Sequence, residues 1–449
     1  MESADRQAVD ALRWPRIARI PQGSLLNRRA ALVQKTFERL ATQAEIRLGP
    51  LSSLIHSDVT TMEVASPVFY ARLAESAWLG LGESYLASEW HSEDLPRLLH
   101  ALLDTGLDAG VEGSVLRSLR RLGRVDKLLD APDDGGELPT ELLQLYAGEL
   151  LWAGSGLFAS GVRTTSREHI ANQSRGAGRG GNPSHWLVDV TYVDAPKNVT
   201  RADLRQAQVR GVEHLLNMAR VRAGDRVAEW PSAGGELAMR AADRGAGAQV
   251  VTVSDNHTEV IARRAEHEGL GGAIDVVQMS QSIVSPRSFP TDFEAVINVE
   301  RLETFGRAGV VAWLRSAERL LVERGTIVVQ MGVATEAFDE AARGALDLIR
   351  AYVWPQLHYL TMAEFRRLVD RETGLRIAAE EYVPAHWETT LRLQREVFAG
   401  NTRQAAGLGY DQVFRRMWDY SLALLQALVA SGRLTMVQLE LIHAPRRGA

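Results

Sequence analysis

The chain has 449 residues, of which 45% are hydrophobic and 24% charged, too many for one ordinary domain, so the composition predicts two globular domains with a core each. A net charge of -5, from 51 basic and 56 acidic residues, offers no overall field to draw a nucleic acid, and the lack of cysteine excludes disulfides, thiolate metal sites and a cysteine nucleophile. Met1-Glu2-Ser3-Ala4-Asp5-Arg6 leads into no apolar core of signal-peptide type, and no run reaches the roughly 18 apolar residues of a spanning helix; a cytoplasmic protein is the expectation.

In chain order, a helical stretch is predicted around Ala30 to Ala41, followed by short alternating strands at Ala44 to Leu48 and Thr61 to Val64. Helices through Leu95 to Leu107 and Leu138 to Leu151 close this half. Between about Thr164 and Pro183, Arg167, Arg175 and Arg179 stand among Gly176, Gly178, Gly180 and Gly181 with hardly an apolar residue. Such composition predicts a mobile linker or lid, either a solvated basic loop or a contact for an anionic ligand or lipid headgroup.

From there the pattern is regularly α/β. Helices are predicted at Ala202 to Ala219, Glu236 to Arg244, Thr258 to Glu268, Val310 to Leu321 and Met362 to Leu368. The strands between them are Arg226 to Trp230, Gln249 to Val253, Ile274 to Gln278, Phe293 to Val299 and Thr326 to Met331. Strands alternating with helices imply a parallel sheet wrapped by helices. The stretch Gly224 to Ala238 reads as a nucleotide-binding strand, turn and helix in which Pro231, without an amide hydrogen, and Ala233, with a methyl group, stand where glycines would let a ligand approach.

Five segments then carry a resemblance: Leu79-Gly80-Leu81-Gly82-Glu83-Ser84-Tyr85 with Glu89-Trp90; Val299-Glu300-Arg301-Leu302-Glu303-Thr304-Phe305-Gly306; Tyr352-Val353-Trp354-Pro355; Glu388-Thr389-Thr390-Leu391-Arg392-Leu393; and Phe414-Arg415-Arg416-Met417-Trp418. The second half resembles class I S-adenosylmethionine-dependent methyltransferases. The whole chain, from about Arg13 to Gln438, is similar to cyclopropane fatty acid synthases, above all to the actinobacterial branch that methylates oleoyl chains of phospholipids. The resemblance implies an α/β Rossmann-like fold with a seven-stranded, mostly parallel sheet, preceded by a smaller α-rich domain. The expected boundaries are 1–160 for that domain, 161–200 for the linker or lid and 201–449 for the methyltransferase-like domain.

The implied chemistry is attack of an alkene on the methyl group of S-adenosylmethionine, followed by loss of a proton to a base that family members supply as bound bicarbonate. Glu303 stands at the position of the family glutamate that helps hold the bicarbonate, while Gln330 and Arg395 look like the oleate-methylating branch. Cofactor contact is expected from Glu229, Gly234, Gly235 and Ser254, with Glu236 as a weaker anchor. The implied partners are phospholipid acyl chains at a membrane surface, with peripheral attachment to its inner face, and either self-association or pairing with an active family member. No nucleic acid or metal is expected.

Each position also has a structural reading. Glu303 can cap a helix or pair with Arg301 or Arg307, Glu229 can be held by loop amides, and Gly234 and Gly235 can be a helix-start turn. Gln330 can be a satisfied core amide, and Arg392 and Arg395, three apart on a helix, can form a solvated face. The family's turn of Glu or Asp, Ile, Gly, x, Gly, Trp, Gly is here Glu229-Trp230-Pro231-Ser232-Ala233-Gly234-Gly235, and its Asp-Tyr-Arg segment is Ser280-Gln281-Ser282. Such departures, at roughly 1 to 3 kcal/mol per lost polar partner, leave a second expectation open: a catalytically impaired paralogue acting as a non-enzymatic partner or lipid-binding subunit.

Overall fold

The computed structural model describes residues 9–50, 59–107, 136–289 and 291–445. The chain forms two compact units, and neither is contiguous in sequence. Unit 1 comprises Met1–Asp130, Ala337–Pro355 and Phe398–Arg433; unit 2 comprises Ala131–Glu336, Gln356–Val397 and Leu434–Ala449.

Unit 1 is built from helices Ser24–Gln43, Val68–Leu86, Leu95–Leu103 and Gln412–Ala430 around a small sheet of β1 (Arg47–Leu48), β2 (Thr61–Val64) and β3 (Trp90–His91). Leu98, Leu99, Leu102 and Leu103 of the third helix are buried, the spacing of one apolar stripe. Phe37 meets Phe69 edge to face at 5.1 Å. The buried Arg72 guanidinium bonds both oxygens of Glu89 at 3.0 and 3.1 Å and the Ile17 carbonyl at 2.6 Å, so its charge is balanced inside the core.

Unit 2 carries a nine-stranded sheet: β4 (Arg163–Ala171), β5 (His185–Val193), β6 (Arg226–Glu229), β7 (Gly247–Thr252), β8 (Ile274–Gln278), β9 (Phe293–Val299), β10 (Leu321–Ala334), β11 (Leu375–Tyr382) and β12 (Leu434–His443). Their order is β4-β5-β11-β12-β10-β9-β6-β7-β8. The five strands from β10 to β8 run parallel, while β12 is antiparallel to both β10 and β11. Ala295-Val296-Ile297 of central β9 is wholly buried, as a strand covered on both faces requires. Trp230, Trp313, Phe293 and Phe365 fill one face; Val212, Leu237, Ile261 and Ile297 fill the other.

The strands and helices predicted between 202 and 368 are present within a few residues of their expected ends. The segment 161–200 departs from expectation. In place of a mobile linker, β4 and β5 pair in register from Arg163↔Val193 to Ala171↔His185, and β5 joins β11 in parallel. Trp186, Val188 and Val190 alternate inward and supply the apolar face that the glycine-rich part lacks. The turn is held by Asn172 Nδ2 to the Pro183 carbonyl at 2.7 Å and Asn182 Nδ2 to Ser174 Oγ at 3.0 Å, and Asp370 receives Gln173 N at 2.7 Å and Trp186 Nε1 at 3.0 Å. The sheet thus has two strands beyond the seven expected.

Candidate functional site

The turn after β6 is organised around Glu229. Buried at the strand's carboxyl end, its Oε1 accepts from Ala233 N at 2.7 Å and Gly235 N at 2.9 Å, and its Oε2 accepts from Ala238 N at 3.1 Å. Burial raises this carboxyl above the ordinary range and the three amides pull it back down. Ser232 N bonds the Val251 carbonyl at 2.8 Å and Gly234 N bonds Ser232 Oγ at 3.2 Å. The turn's amides are therefore spent within the turn and its neighbouring strand. Trp230 lies in the core on one face of the sheet, tilted against Phe289 at 5.1 Å and Trp313 at 5.6 Å, with Nε1 donating to the Ser282 carbonyl at 2.8 Å.

The crevice at the ends of β6 and β7 is covered by residues 136–158 of the same unit. Ala153 N donates to the Ala233 carbonyl at 2.9 Å. Gly234, at φ +107°, faces Leu151 so closely that a Cβ there would lie inside the Leu151 carbonyl, and a Cβ on Gly235 would stand 2.9 Å from Ile261. These glycines serve close approach, but what approaches is the protein itself: the Leu151 backbone at Gly234 and the Ile261 side chain at Gly235. Glu137 accepts from Thr252 Oγ1 and from Val253 N, the latter at 3.3 Å. His257, its ring held neutral by burial, donates through Nε2 to the Leu138 carbonyl at 2.7 Å and accepts at Nδ1 from Ser232 Oγ at 3.0 Å. Ser254 caps helix Asp255–His267 by accepting from His257 N at 3.3 Å, and Glu236 is paired with Arg240 at 2.9 Å and Arg264 at 2.7 Å.

A second cluster forms where β9 and β10 end. Glu300, at φ +50°, lies one residue beyond β9, and the short helix Leu302–Thr304 turns Glu303 back toward the sheet. Glu303 Oε1 accepts from Gly332 N, while its buried Oε2 has no hydrogen-bond partner among the described residues. Burial pushes this carboxyl up to about 8; the Gly332 amide opposes the rise and the nearby Glu300 charge adds to it. Glu300 Oε1 accepts from Ser155 N at 2.6 Å and Gln330 Nε2 at 2.7 Å, and Gln330 Oε1 in turn accepts from Gln438 Nε2 at 2.7 Å. Glu300 too is raised by burial, against the pull of those two donors. A Cβ on Gly332 would stand 2.9 Å from Tyr359 and 3.0 Å from Trp387, so two aromatic rings pack close against this strand beside the cluster.

Glu303 and Gln330 are thus brought into one cluster through Glu300. Arg395 stands half-buried on helix Pro384–Gly400, eight residues past Trp387, about 12 Å further along that helix axis at roughly 1.5 Å per residue. Glu300, Ser155, Tyr146 and Glu137 were not among the sequence candidates. Tyr146 is buried, and its phenol is raised first by that burial and then by the Glu300 charge. The pair Glu300-x-x-Glu303 directly after a buried strand was a readable signal for Glu300; the other three arrive through tertiary folding.

A sheet whose core order is β11-β12-β10-β9-β6-β7-β8, with β12 reversed and the candidate residues gathered beyond the strand ends, is the class I methyltransferase fold. The family model described as mycolic acid cyclopropane synthetase matches residues 187–439, more than half of the sequence, and the chain belongs to that family. It is 28% identical, over 97% of its own length and 96% of the relative's, to tuberculostearic acid methyltransferase UfaA1 of Mycobacterium tuberculosis. Among solved structures it resembles the cyclopropane synthase MmaA2 from Mycobacterium tuberculosis, with 14% identity, TM-score 0.52, and 67% of this chain and 93% of that one covered. The mycolic acid cyclopropane synthase CmaA1 complexed with SAH and CTAB matches at 14% identity and TM-score 0.53, over 70% and 97%. Coclaurine N-methyltransferase matches at 13% identity and TM-score 0.53, over 82% and 97%. Among the described residues no helix is long and apolar enough to cross a membrane.

Proposed function

We propose that this protein methylates the double bond of an unsaturated acyl chain carried by a phospholipid, at a membrane surface, with S-adenosylmethionine as donor. Family membership sets the class of reaction, and the Glu303 carboxyl carries the local argument. At neutral pH a group raised to about 8 keeps its proton, and the proton belongs on Oε2 because Oε1 accepts from Gly332 N. A buried O–H without a partner of its own fits an anion's oxygen, and bicarbonate meets that need while leaving the acyl chain no competing nucleophile from the protein. Burial above all keeps Glu303 protonated, and Glu300, held in place by Gln330, adds to that. Tyr359 and Trp387 exclude water from the cluster.

When bound, the donor supplies an electrophilic methyl group on a sulfonium. Its amino-acid end needs amides and carbonyls of the turn after β6, and these are held by Glu229, Ser232 and Ala153. For the donor to occupy that turn, residues 148–156 would have to leave it, and Glu229, through the amides of Ala233, Gly235 and Ala238, would keep the turn in shape.

The test is incubation of the full chain with methyl-labelled donor and vesicles of a dioleoyl phospholipid. Label in the acyl chain, with a mass gain of one methylene unit, is the expected result. A second reading, the catalytically impaired paralogue that serves as partner or lipid-binding subunit, draws on the covered crevice. Calorimetry separates the two: donor binding tighter than about 1 mM, or roughly 4 kcal/mol, supports the enzyme, and no heat at several times that concentration supports the paralogue.

A further inference from the structure

Helix Ser24–Gln43 of unit 1 presents two unlike faces. Val33, Phe37, Leu40 and Ala41 are buried. On the outside, Leu25, Leu32 and Arg39 recur every seven residues, and so do Arg28 and Lys35, which places all five on one side of the helix. Leu25 is 73% exposed and Leu32 66% exposed. The leucines form the centre line of that face, with Arg28, Lys35 and Arg39 along one flank and Arg29 along the other.

The charge on this face is unbalanced. Upstream, Arg13, Arg16 and Arg19 are each paired, with Asp411, Glu83 and Glu75. Arg28, Arg29, Lys35 and Arg39 have no ion pair among the described residues, and Glu38 is the one acidic residue of the helix. A chain with net charge -5 therefore concentrates four cations without an ion pair among the described residues on a single helix, around two leucines that stand largely exposed. An apolar line with cations on both flanks is the pattern of a helix lying in the plane of a bilayer surface, where leucines enter the acyl boundary and long cationic side chains reach back to the headgroups. An acidic protein surface would satisfy the cations but would leave both leucines in contact with polar groups.

We propose that the outer face of Ser24–Gln43 is a docking surface for an anionic phospholipid bilayer. The inference deepens the lipid reading above and rests on it for its purpose, while its test reads vesicle binding alone. The full chain is sedimented with vesicles of phosphatidylcholine and with vesicles containing phosphatidylglycerol, in low and high salt. Binding is expected to the anionic vesicles and to fall with salt. Each cation removed lowers partitioning about five-fold, so Arg28→Gln, Lys35→Gln and Arg39→Gln combined lower it about a hundred-fold. Leu25→Ser with Leu32→Ser weakens binding at every salt concentration. These side chains are solvent-exposed, and an unchanged far-ultraviolet circular dichroism spectrum confirms that each variant folds.

Binding to anionic vesicles that is unaffected by both sets of substitutions, or equal binding to neutral and anionic vesicles, overturns the proposal. Methyl transfer separates this from failure of the functional reading. Loss of transfer to vesicle-borne lipid with retention on detergent-dispersed lipid supports the docking face. A wild-type chain that transfers no methyl group to either, yet binds vesicles through these residues, sinks the enzyme reading and leaves the surface standing.

Discussion

Replacing Glu303 by glutamine isolates the proton held at the reaction-centre carboxyl. Burial raises that group from an ordinary 4.5 to about 8. Between those values the folded chain retains a proton that the unfolded chain has released, so stability falls as pH rises, by about 1.4 kcal/mol per unit. The contribution is present in full below the unfolded value and is lost by the time pH passes the folded one; over the interval it amounts to about 5 kcal/mol. Glutamine preserves a carbonyl acceptor for Gly332 N and has no proton to lose. Glu300, raised as well, contributes a slope of the same sign to both proteins. Urea unfolding at several values between about pH 5 and about pH 8 should therefore show the Glu303→Gln chain gaining on the wild type step by step. Parallel stability profiles would refute the claim that Glu303 is protonated in the fold, and with it the anion-holding role.

Gly234→Ala should destabilise unit 2 by roughly 2 to 4 kcal/mol, combining an unfavourable positive φ with the clash against Leu151, and limited proteolysis should show faster cutting near residues 148–156. Glu229→Gln presents an amide N–H₂ where Ala238 N needs an acceptor, so a loss of about 1 to 3 kcal/mol is expected, read as a lower urea midpoint with unchanged slope. Gln330→Leu removes a donor from Glu300 and an acceptor from Gln438; methyl transfer should drop more than ten-fold while calorimetric donor binding stays within about two-fold.

The strands from β6 to β10 were legible because each is a short apolar run between turns, and β9, Phe293–Val299, is the plainest of them. The hairpin was not. Strand β4 is exposed along nearly its whole length, so its residues carry no apolar alternation, and the glycines that read as disorder make the left-handed turn that lets β5 fold back. The pattern Trp186-x-Val188-x-Val190 was the available signal. At the site, Glu303 was singled out within a family segment and Gln330 through the same resemblance, but the covering of the Glu229 turn was invisible, because Leu151 and Ala153 meet it through backbone atoms and backbone contacts leave no residue-type signature. Pro231 and Ala233 stood where glycines would let a ligand approach, and the structure sets Ala153 N against the Ala233 carbonyl there.

Strand β12, Leu434–His443, lies between β10 and β11 in the interior of the sheet although it follows every other strand of the described residues in chain order. Unit 1 has the same dependence, since Tyr85 packs on Tyr420 at 5.5 Å and carries Arg416 over its ring at 3.9 Å. On the ribosome, then, the early helices of unit 1, Ser24–Gln43, Val68–Leu86 and Leu95–Leu103, wait for the helix Gln412–Ala430, and the sheet stands split until Leu434–His443 emerges. A premature stop before the end of the helix Gln412–Ala430 leaves two unfinished bodies instead of one complete and one missing, because each unit draws on segments far apart in the chain.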